Sequence, residues 1–325
     1  FYTPRNGETK MGDTIPLLKN ESELQSSSSP FVLIGIAEDI GVRGNLGIPG
    51  CSTTFYNFLK AFLNTQVTDN FRGDHLSLYG VLKFEDEMAE AEELNPGKPR
   101  HLERIRSLVS QVDLKVTETL ETVFRTGKTP LIIGGGHNNS YGLLRALSQA
   151  NGQKVNALNI DPHADFRALE GRHSGNGFSY ASAEGFLEKY HVFGWHQGYN
   201  NQSMTTSFAE NPLLSYTSFE EILSQSEEET LRDLLHQTTK LNNAPLGFEL
   251  DMDSVTNFPV SAFNPSGFDF NTIRKMVRMV AFNNKPSYFH ITEAAPILAA
   301  NDQLQNGASK ALAYLVFDFL KASVK

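Results

Sequence analysis

Carboxylate and imidazole side chains alternate in two stretches of this sequence, each of which directly follows an apolar run of strand length. "VNALNIDPHADFR" carries Asp161, His163 and Asp165, and "PLGFELDMDS" carries Asp251 and Asp253. Alternate residues of an extended chain point to the same side. Each set can therefore aim its polar atoms at one point, which is an arrangement suited to binding a cation.

Two further apolar runs lead into the same residue types. "PLIIGGGHNNSYG" carries His137 and "SYFHITEAAP" carries Glu293. Ligands of a parallel sheet gather beyond the carboxyl ends of its strands, so these four strand ends predict one shared pocket. Its predicted polar groups are the carboxylates of Asp161, Asp165, Asp251, Asp253 and Glu293 and the imidazoles of His137 and His163.

So many buried carboxylates need a compensating cation, because an unpaired charge is costly to bury. A ligand set dominated by carboxylate oxygen, with a minority of imidazole, suits Mn²⁺ better than structural zinc or copper. The candidate ligands are His137, Asp161, His163, Asp165, Asp251 and Asp253. These six residues are more ligands than a single ion of this type usually takes from a protein. We therefore predict two Mn²⁺ ions that share Asp161 and Asp251, as in two-metal sites that activate water.

Each motif has a simpler interpretation when it is taken alone. A D-x-D after a strand is typical of a capped turn or a helix start, and His163 alone could be a core histidine. "GGGH" could be a tight turn; it lacks the lysine of a P-loop and the third glycine of a dinucleotide-binding motif. The coincidence of all the sets at strand ends in one chain favours the metal site.

Composition limits the classes of protein that this sequence can encode. The chain has 325 residues, 40% of them hydrophobic, a net charge of −9 and a pI near 5.5. Such a chain can bury a large core and offers no basic face for nucleic acid or an anionic membrane, so we expect a small-molecule substrate. The single cysteine, Cys51, excludes an intramolecular disulfide and a cysteine-based zinc site. Without a membrane-spanning run or a signal-peptide pattern, we expect a cytoplasmic protein.

Apolar runs of strand length alternate with segments of helical periodicity, such as residues 101–127 and 303–324. This alternation predicts a parallel sheet that is covered by helices on both faces. We predict one domain over residues 31–325, preceded by a polar, Ser-rich arm over residues 1–30 that is loose or draped on the surface. The predicted strands cover residues 31–37, 76–84, 130–135, 155–161, 191–195, 245–251 and 287–293.

The blocks "GGGHNNSYG", "NIDPHADFR", "ELDMDS" and "TEAAP" resemble, in this order, the signature blocks of the ureohydrolase superfamily of arginases, agmatinases and formimidoylglutamases. The resemblance implies a three-layer α/β/α fold around a largely parallel eight-stranded sheet, assembled into trimers or hexamers. It also implies that one Mn²⁺ binds His137, Asp161, Asp165 and Asp251. The other would bind Asp161, His163, Asp251 and Asp253.

Within the superfamily, several details resemble formimidoylglutamases, which hydrolyse N-formimino-L-glutamate to glutamate and formamide in histidine degradation. Gly136 precedes His137 where arginases carry an aspartate, and "EDIGVRGNLGIPG" and "GYNNQS" are similar to formimidoylglutamase loops. Phe178 stands where arginases keep a proton-shuttling histidine. We expect Phe178 to lie at the pocket entrance. Thr256 departs from the family pattern, as do the two residues after "GGGH", Asn138 and Asn139.

The predicted substrate carries two carboxylates and an amidinium, so it needs hydrogen-bond donors and one well-placed acid. Arg167 and Arg172 directly follow the metal block and are the predicted carboxylate partners, with Arg43 as a weaker candidate. Asp165 would pass on the proton of the attacking water, and Glu293 would pair with the amidinium. The predicted neutral contacts are Ser174, Asn176, Asn200 and Asn201, whereas Tyr180 and Trp195 are predicted packing residues.

Three other functions are compatible with parts of this pattern. A ureohydrolase acting on arginine, agmatine or a guanidino acid would share every metal ligand. A deacetylase of related fold would need one Zn²⁺ and would leave His137 without a role. A non-catalytic metal-binding relative would not need all six ligand positions, which are intact here.

Overall fold

An eight-stranded sheet, in which every pair of neighbouring strands is parallel, forms the centre of the protein. The computed structural model describes residues 1–69 and 71–324. Asn70 and Lys325, which fall inside the predicted domain of residues 31–325, lie outside the described residues. The strand order is β2-β1-β3-β8-β7-β4-β5-β6. The strands are β1 (Phe31–Ala37), β2 (Leu76–Lys83), β3 (Thr129–Ile133), β4 (Val155–Ile160), β5 (Leu187–Trp195), β6 (Leu214–Ser218), β7 (Leu246–Asp251) and β8 (Tyr288–Thr292).

Helices cover both faces of the sheet, so the predicted three-layer α/β/α fold is confirmed. The helices are α1 (Met11–Thr14), α2 (Glu21–Ser26), α3 (Ile40–Gly44), α4 (Thr54–Phe62), α5 (Glu85–Glu93), α6 (Pro99–Arg125), α7 (Asn139–Asn151), α8 (Gly177–Ala183), α9 (Gln202–Glu210), α10 (Phe219–Ile222), α11 (Glu227–Thr239), α12 (Phe270–Asn284) and α13 (Asp302–Ser323). Short 3-10 turns occur between them.

Alternate residues of the buried strands supply two separate hydrophobic cores. In β1, Leu33 packs in the core beneath α4, α12 and α13, whereas Val32 and Ile34 pack in the core beneath α6 and α7. This follows from the twofold side-chain period of a strand whose two faces are both covered. The strands are therefore packed between two layers of helices, and their carboxyl ends hold the polar groups that follow them in fixed positions.

The strand β6 is absent from the seven strands predicted from apolar runs. Its sequence is "LSYTS", and Ser215 and Tyr216 are exposed because β6 lies at the edge of the sheet. A half-exposed edge strand lacks the continuous apolar run that marks the central strands.

Residues 1–30 pack against the domain near the opposite edge strand, β2. Met11, Leu18 and Leu24 are buried. The Leu18 N–H donates to Leu78 O, and the Leu78 N–H donates to Pro16 O. This pairing covers part of the backbone of β2 that would otherwise be open to another strand.

A buried ion pair fixes the helices behind the carboxyl edge. Arg172, in the loop before α8, donates to Asp113 of α6 through Nε at 2.8 Å and Nη2 at 3.2 Å. Its Nη2 also donates to Asn138 O, at the start of α7. The rings of Tyr141 and Tyr180 lie 4.8 and 4.9 Å from the guanidinium carbon, close enough for cation–π attraction.

We expect Asp113→Leu to lower the free energy of unfolding by about 3–5 kcal/mol, because it leaves the Arg172 guanidinium buried without its counter-ion. Asp113→Leu combined with Arg172→Met should recover most of this loss. Urea denaturation of the metal-free protein measures both effects. Glu228→Ala, which breaks an exposed pair with Arg232, is the control and should cost no more than ~1 kcal/mol. A single Asp113→Leu variant as stable as this control would contradict the assignment.

Candidate metal centre

Four candidate metal-ligand side chains from three strand ends converge at the carboxyl edge of the sheet. One donor atom from each of His137, Asp161, Asp165 and Asp251 lies within 4.8 Å of the other three. His137 Nδ1 is 3.3 Å from Asp161, 2.8 Å from Asp165 and 3.0 Å from Asp251. The structure thus brings the first predicted ligand set together around one point.

The other two predicted ligands lie beside this group. His163 Nδ1 is 3.4 Å from Asp161 Oδ1 and 3.6 Å from Asp253 Oδ2. The Asp253 N–H donates to Asp251 Oδ1 at 2.8 Å. Asp161 and Asp251 therefore lie between His137 on one side and the pair of His163 and Asp253 on the other.

Strand pairing and local turns explain why the two central aspartates face each other. β4 and β7 are neighbours in register, with Ile160 opposite Leu250, so the next residues, Asp161 and Asp251, emerge side by side. Each aspartate accepts the N–H of the residue two positions later, at 2.7 and 2.8 Å. Such turns fix the direction of an aspartate side chain, which the D-x-H and D-x-D spacing provides.

The two predicted catalytic acids both have backbone in the left-handed region, with φ of 45° at Asp165 and 58° at Glu293. This conformation is uncommon for residues other than glycine, and strained backbone clusters at functional sites. Glu293 Oε1 accepts the His137 N–H at 2.8 Å. The acid at the end of β8 is thereby fixed to the turn that carries His137, the first candidate histidine ligand.

Glu38 organises the same turn and was not among the predicted site residues. Its Oε1 accepts from the Gly136 N–H and from the side-chain amides of Asn138 and Asn139, at 3.2, 3.2 and 2.6 Å. Its signal in the sequence is that "ED" directly follows the apolar run of β1. Gly135 has a φ of 75°, a left-handed conformation that favours glycine, and a Cβ there would also lie 2.4 Å from Asn139 Nδ2.

The carboxylates at this edge repel one another. Burial and then the charge of Asp161 raise the pKa of Asp251 to about 6. Burial and then the charge of Asp251 raise the pKa values of Asp253 and Glu293 well above their usual range. Asp253 Oδ1 is buried and has no hydrogen-bond partner among the described residues.

A divalent cation fits these residues. It would offset the mutual repulsion of the carboxylates and supply the partner that Asp253 Oδ1 lacks. Carboxylate oxygens with a minority of imidazole nitrogens form a donor set suited to Mn²⁺. The side chains present are therefore those that a manganese site requires.

A cleft of about 530 Å³ opens onto the candidate metal ligands. His163, Asp165, Asp251, Asp253 and Glu293 line it. Its other lining residues are Val42, Asn45, Leu46, Gly47, Ile48, Ala164, Arg167, Ser174, Gly175, Tyr199, Asn200, Asn201, Met204, Ser261 and Ala262. A small polar molecule that enters this cleft therefore meets the carboxylates and imidazole directly.

Arg167, Ser174 and Asn201 lie in the cleft, as a substrate-binding role requires. Arg167 donates to Asn45 Oδ1 at 3.2 Å and to Glu170 Oε1 at 3.0 Å. Asn45 also donates to Ser174 Oγ, so this residue, which was not predicted, aligns two predicted contacts. The signal for it was its place in the loop "EDIGVRGNLGIPG".

The predicted substrate roles of Arg172 and Asn176 are wrong, because both side chains are buried outside the cleft. Arg172 is engaged by Asp113. Asn176 accepts from Arg172 and from the His173 N–H, and donates to Ala168 O and Gly171 O. These residues hold the loop before α8 and do not contact a ligand in the cleft.

Asn200 lines the cleft, but its side chain serves the backbone. Its Oδ1 accepts the Ala164 N–H, and its Nδ2 donates to Pro162 O and His196 O. We therefore revise its predicted role from substrate contact to support of the loop that carries His163. Arg43, the weaker candidate, lies outside the cleft and pairs with Asp39 at 3.0 Å.

The prediction that Phe178 stands at the pocket entrance is also wrong. Its side chain is fully buried in α8. The ring packs edge-on against His137, with ring centroids 5.2 Å apart, and stacks on Tyr190. Phe178 therefore packs behind the His137 imidazole, on the side away from the cleft. Trp195 is buried against Phe208 and Tyr216.

Among the described residues, no helix combines the length and the apolar character needed to cross a bilayer.

Solved structures of the same fold include two formimidoylglutamases. The crystal structure of Trypanosoma cruzi formiminoglutamase with Mn²⁺ aligns over 97% of this chain and 98% of that chain, with 18% identity and a TM-score of 0.74. The crystal structure of the formimidoylglutamase from Bacillus subtilis aligns over 99% of this chain and 94% of that chain, with 18% identity and a TM-score of 0.77.

Sequence comparison agrees with this likeness of fold. A formimidoylglutamase of Streptococcus pyogenes serotype M3 is 25% identical over 309 residues, which cover 91% of this chain and 87% of that protein. The sequence model of the arginase family matches residues 32–320. With this match over most of its length and with the cluster of candidate metal ligands at the carboxyl edge of its sheet, the chain belongs to the arginase family.

Proposed function

We propose that this protein is a binuclear manganese hydrolase that cleaves N-formimino-L-glutamate to L-glutamate and formamide. The observation that carries the proposal is the cluster of His137, Asp161, Asp165 and Asp251 within 4.8 Å, at the floor of a cleft that Glu293 also lines. The curated relatives named formimidoylglutamase support the choice of an amidine as substrate. Two Mn²⁺ ions per chain would be held by the six ligand positions described above.

Manganese bound there would act as a Lewis acid and lower the pKa of water, so that a nucleophile is available near neutral pH. Asp165 is the chain's own group for the proton of that water. One of its oxygens, Oδ2, lies 2.8 Å from His137 Nδ1, and its side chain is 12% exposed toward the cleft. It can accept the proton and pass it to the leaving amine.

Glu293 would orient the amidinium. Its Oε1 is fixed by the His137 N–H, and its Oε2 makes no hydrogen bond among the described residues. A planar amidinium presents N–H donors that pair well with a carboxylate. Holding the amidine carbon beside the metal ligands converts an encounter in solution into a positioned reaction, which lowers the entropic part of the barrier.

Arg167 would bind a substrate carboxylate. Among the described lining residues of the cleft it is the one that carries a guanidinium. Asn45 and Glu170 hold it in place. Ser174 and Asn201 offer neutral hydrogen bonds to the second carboxylate. The Oδ1 of Asn201 accepts the Met204 N–H, so the side-chain NH₂ group of Asn201 can donate to a ligand.

A guanidino acid hydrolase is the second candidate. The observation that favours it is the single guanidinium in the described cleft, which matches a substrate with one carboxylate as well as one with two. The metal ligands and Glu293 would serve such a substrate in the same way. The two candidate functions therefore differ in whether a second substrate carboxylate contacts Ser174 and Asn201.

Removal of a shared metal ligand should eliminate the reaction. We expect Asp251→Ala, and its near-isosteric counterpart Asp251→Asn, to bind one manganese per chain or less and to lose turnover, because both predicted ions use this residue. Elemental analysis after removal of free metal measures the content. Asp74→Ala, which changes an exposed aspartate outside the site, should keep the wild-type content. Two manganese ions per chain in either Asp251 variant would exclude the shared-ligand assignment.

We expect Glu293→Gln to fold and to retain its manganese, but to lose roughly 10- to 100-fold in kcat/KM. The amide cannot pair ionically with an amidinium, and a hydrogen bond to a charged group is worth about 1.5–3 kcal/mol. Steady-state kinetics on formiminoglutamate give the result. The control is Glu184→Gln, at a carboxylate that accepts from Tyr141 outside the cleft. Equal kinetics for the two variants would rule out the orienting role.

The substrate is tested by assaying the manganese-loaded protein with formiminoglutamate, arginine, agmatine and guanidinobutyrate. We expect the highest kcat/KM with formiminoglutamate. Arg167→Met should raise its KM about 10- to 100-fold with little change in kcat, and should leave the KM of agmatine, which has no carboxylate, unchanged.

Arg43→Met, at an arginine outside the cleft, is the matched control for Arg167→Met. A kcat/KM for guanidinobutyrate above that for formiminoglutamate would establish the second candidate. A kcat/KM for arginine equal to or above that for formiminoglutamate would leave only the broader ureohydrolase function.

A further inference from the structure

The two nitrogens of the His137 imidazole have very different surroundings. Nδ1 faces Asp161, Asp165 and Asp251, as described above. Nε2 is fully buried and has no hydrogen-bond partner among the described residues. The Oε2 atom of Glu249 lies 3.7 Å from it, about 0.5 Å beyond the usual length of such a hydrogen bond.

Glu249 is a fully buried carboxylate in the middle of β7. It precedes Asp251 by two residues, so both side chains lie on the same face of the strand. Its Oε1 accepts from the Tyr288 hydroxyl at 2.6 Å, and its Oε2 lies 2.6 Å from His290 Nδ1. His290 is its direct neighbour in the register of β7 and β8. Two groups from the next strand therefore fix this carboxylate.

The network also reaches the turn that carries His137. His290 Nε2 lies 3.2 Å from Gly134 O, and Thr292, two residues further along β8 toward the carboxyl edge, donates to Gly135 O. A purely structural interpretation is thus available, in which Glu249 only connects β8 to β7. The position of Nε2 indicates a second role for Glu249. A link between β8 and β7 alone would not need a carboxylate oxygen near the imidazole nitrogen of His137 that has no other partner.

A cation at Nδ1 determines the state of the other nitrogen. An imidazole that uses Nδ1 as a metal ligand keeps its proton on Nε2, and a buried N–H without an acceptor costs about 1–3 kcal/mol. Histidine ligands in proteins commonly donate this N–H to a carboxylate, which fixes the ring and raises its basicity. Glu249 Oε2 is placed to be that acceptor.

We propose that Glu249, held by Tyr288 and His290, is a positioning residue that accepts the Nε2–H of His137 and so fixes the ring for metal binding through Nδ1. This inference depends on the proposed function in one respect, which is that His137 binds a metal ion. It needs no particular substrate. Its test can therefore be made on metal binding alone.

The experiment is Mn²⁺ titration of the metal-free protein by calorimetry, with thermal melts in parallel. We expect Glu249→Gln to weaken the binding of one of the two ions about 10- to 100-fold, which is the usual cost of removing such a partner. The rise in Tm that Mn²⁺ produces should shrink accordingly. Asp318→Asn is the matched control, since Asp318 is also buried and paired, with Arg274 and Arg278 on another face. It should lower the metal-free Tm but leave the Mn²⁺ affinity unchanged.

A double-mutant cycle separates positioning from a general loss of structure. In a His137→Ala background, Glu249→Gln should change the remaining Mn²⁺ affinity by less than about twofold, because coupled residues are not additive. If Glu249→Gln does not fold, Tyr288→Phe takes its place and should weaken binding about 2- to 10-fold, the value of one hydrogen bond.

Unchanged Mn²⁺ affinity in a folded Glu249→Gln or Tyr288→Phe variant would overturn the inference. An equal loss of affinity with and without His137 would also overturn it, since Glu249 would then act through the fold. Failure of the unmodified protein to bind Mn²⁺ would instead refute the proposed function, on which the inference depends.

Discussion

The electrostatic cost of placing five carboxylates at one buried edge of a parallel sheet is the constraint on which the rest of this structure depends. Burial and mutual repulsion raise the pKa values of Asp251, Asp253 and Glu293 together. Without a compensating cation, these carboxylates would not stabilise the fold, because apolar side chains of similar volume in their place would give a protein that is equally stable or more stable. The edge is therefore built for bound positive charge, and a metal with a cationic substrate accounts for all of the acids.

Much of the surrounding structure serves to keep these acids in position. Turns after β4 and β7 fix Asp161 and Asp251 through hydrogen bonds to their own loops. Glu38 holds the glycine turn before His137, and Glu249 lies behind the His137 ring. Arg172 joins the same region to α6. Fixed side chains of this kind allow a site to bind metal without first reorganising.

The sequence predicted the sheet and the convergence of the candidate metal ligands, because both follow from local patterns. Apolar runs mark buried strands, and the acids and imidazoles that follow them meet because the carboxyl ends of parallel strands lie at one edge. The period-two spacing of Asp161, His163 and Asp165 does not continue the strand, since β4 ends at Ile160 and Asp165 has a φ of 45°. The strand β6 was missed because its exposed edge position removes the apolar run. What the sequence could not show were pairings over long separations.

Arg172 illustrates this limit. Its position directly after the metal block suggested a substrate contact, but Asp113, 59 residues earlier, engages it inside the protein. The resemblance to arginases suggested that Phe178 lies at the entrance, but the path of α8 puts it behind His137. Glu249 and His290 lie within strands whose apolar neighbours concealed them. In each case the decisive partner comes from a distant part of the chain, and only the fold brings it close.

Crystals of the manganese-loaded protein, measured at the manganese absorption edge, would show whether Asp161 and Asp251 are shared by two ions. We predict two anomalous peaks about 3.5–4 Å apart, both in contact with Asp161 and Asp251, one beside His137 and the other beside His163. A single peak, or peaks that do not contact these two aspartates, would contradict this prediction.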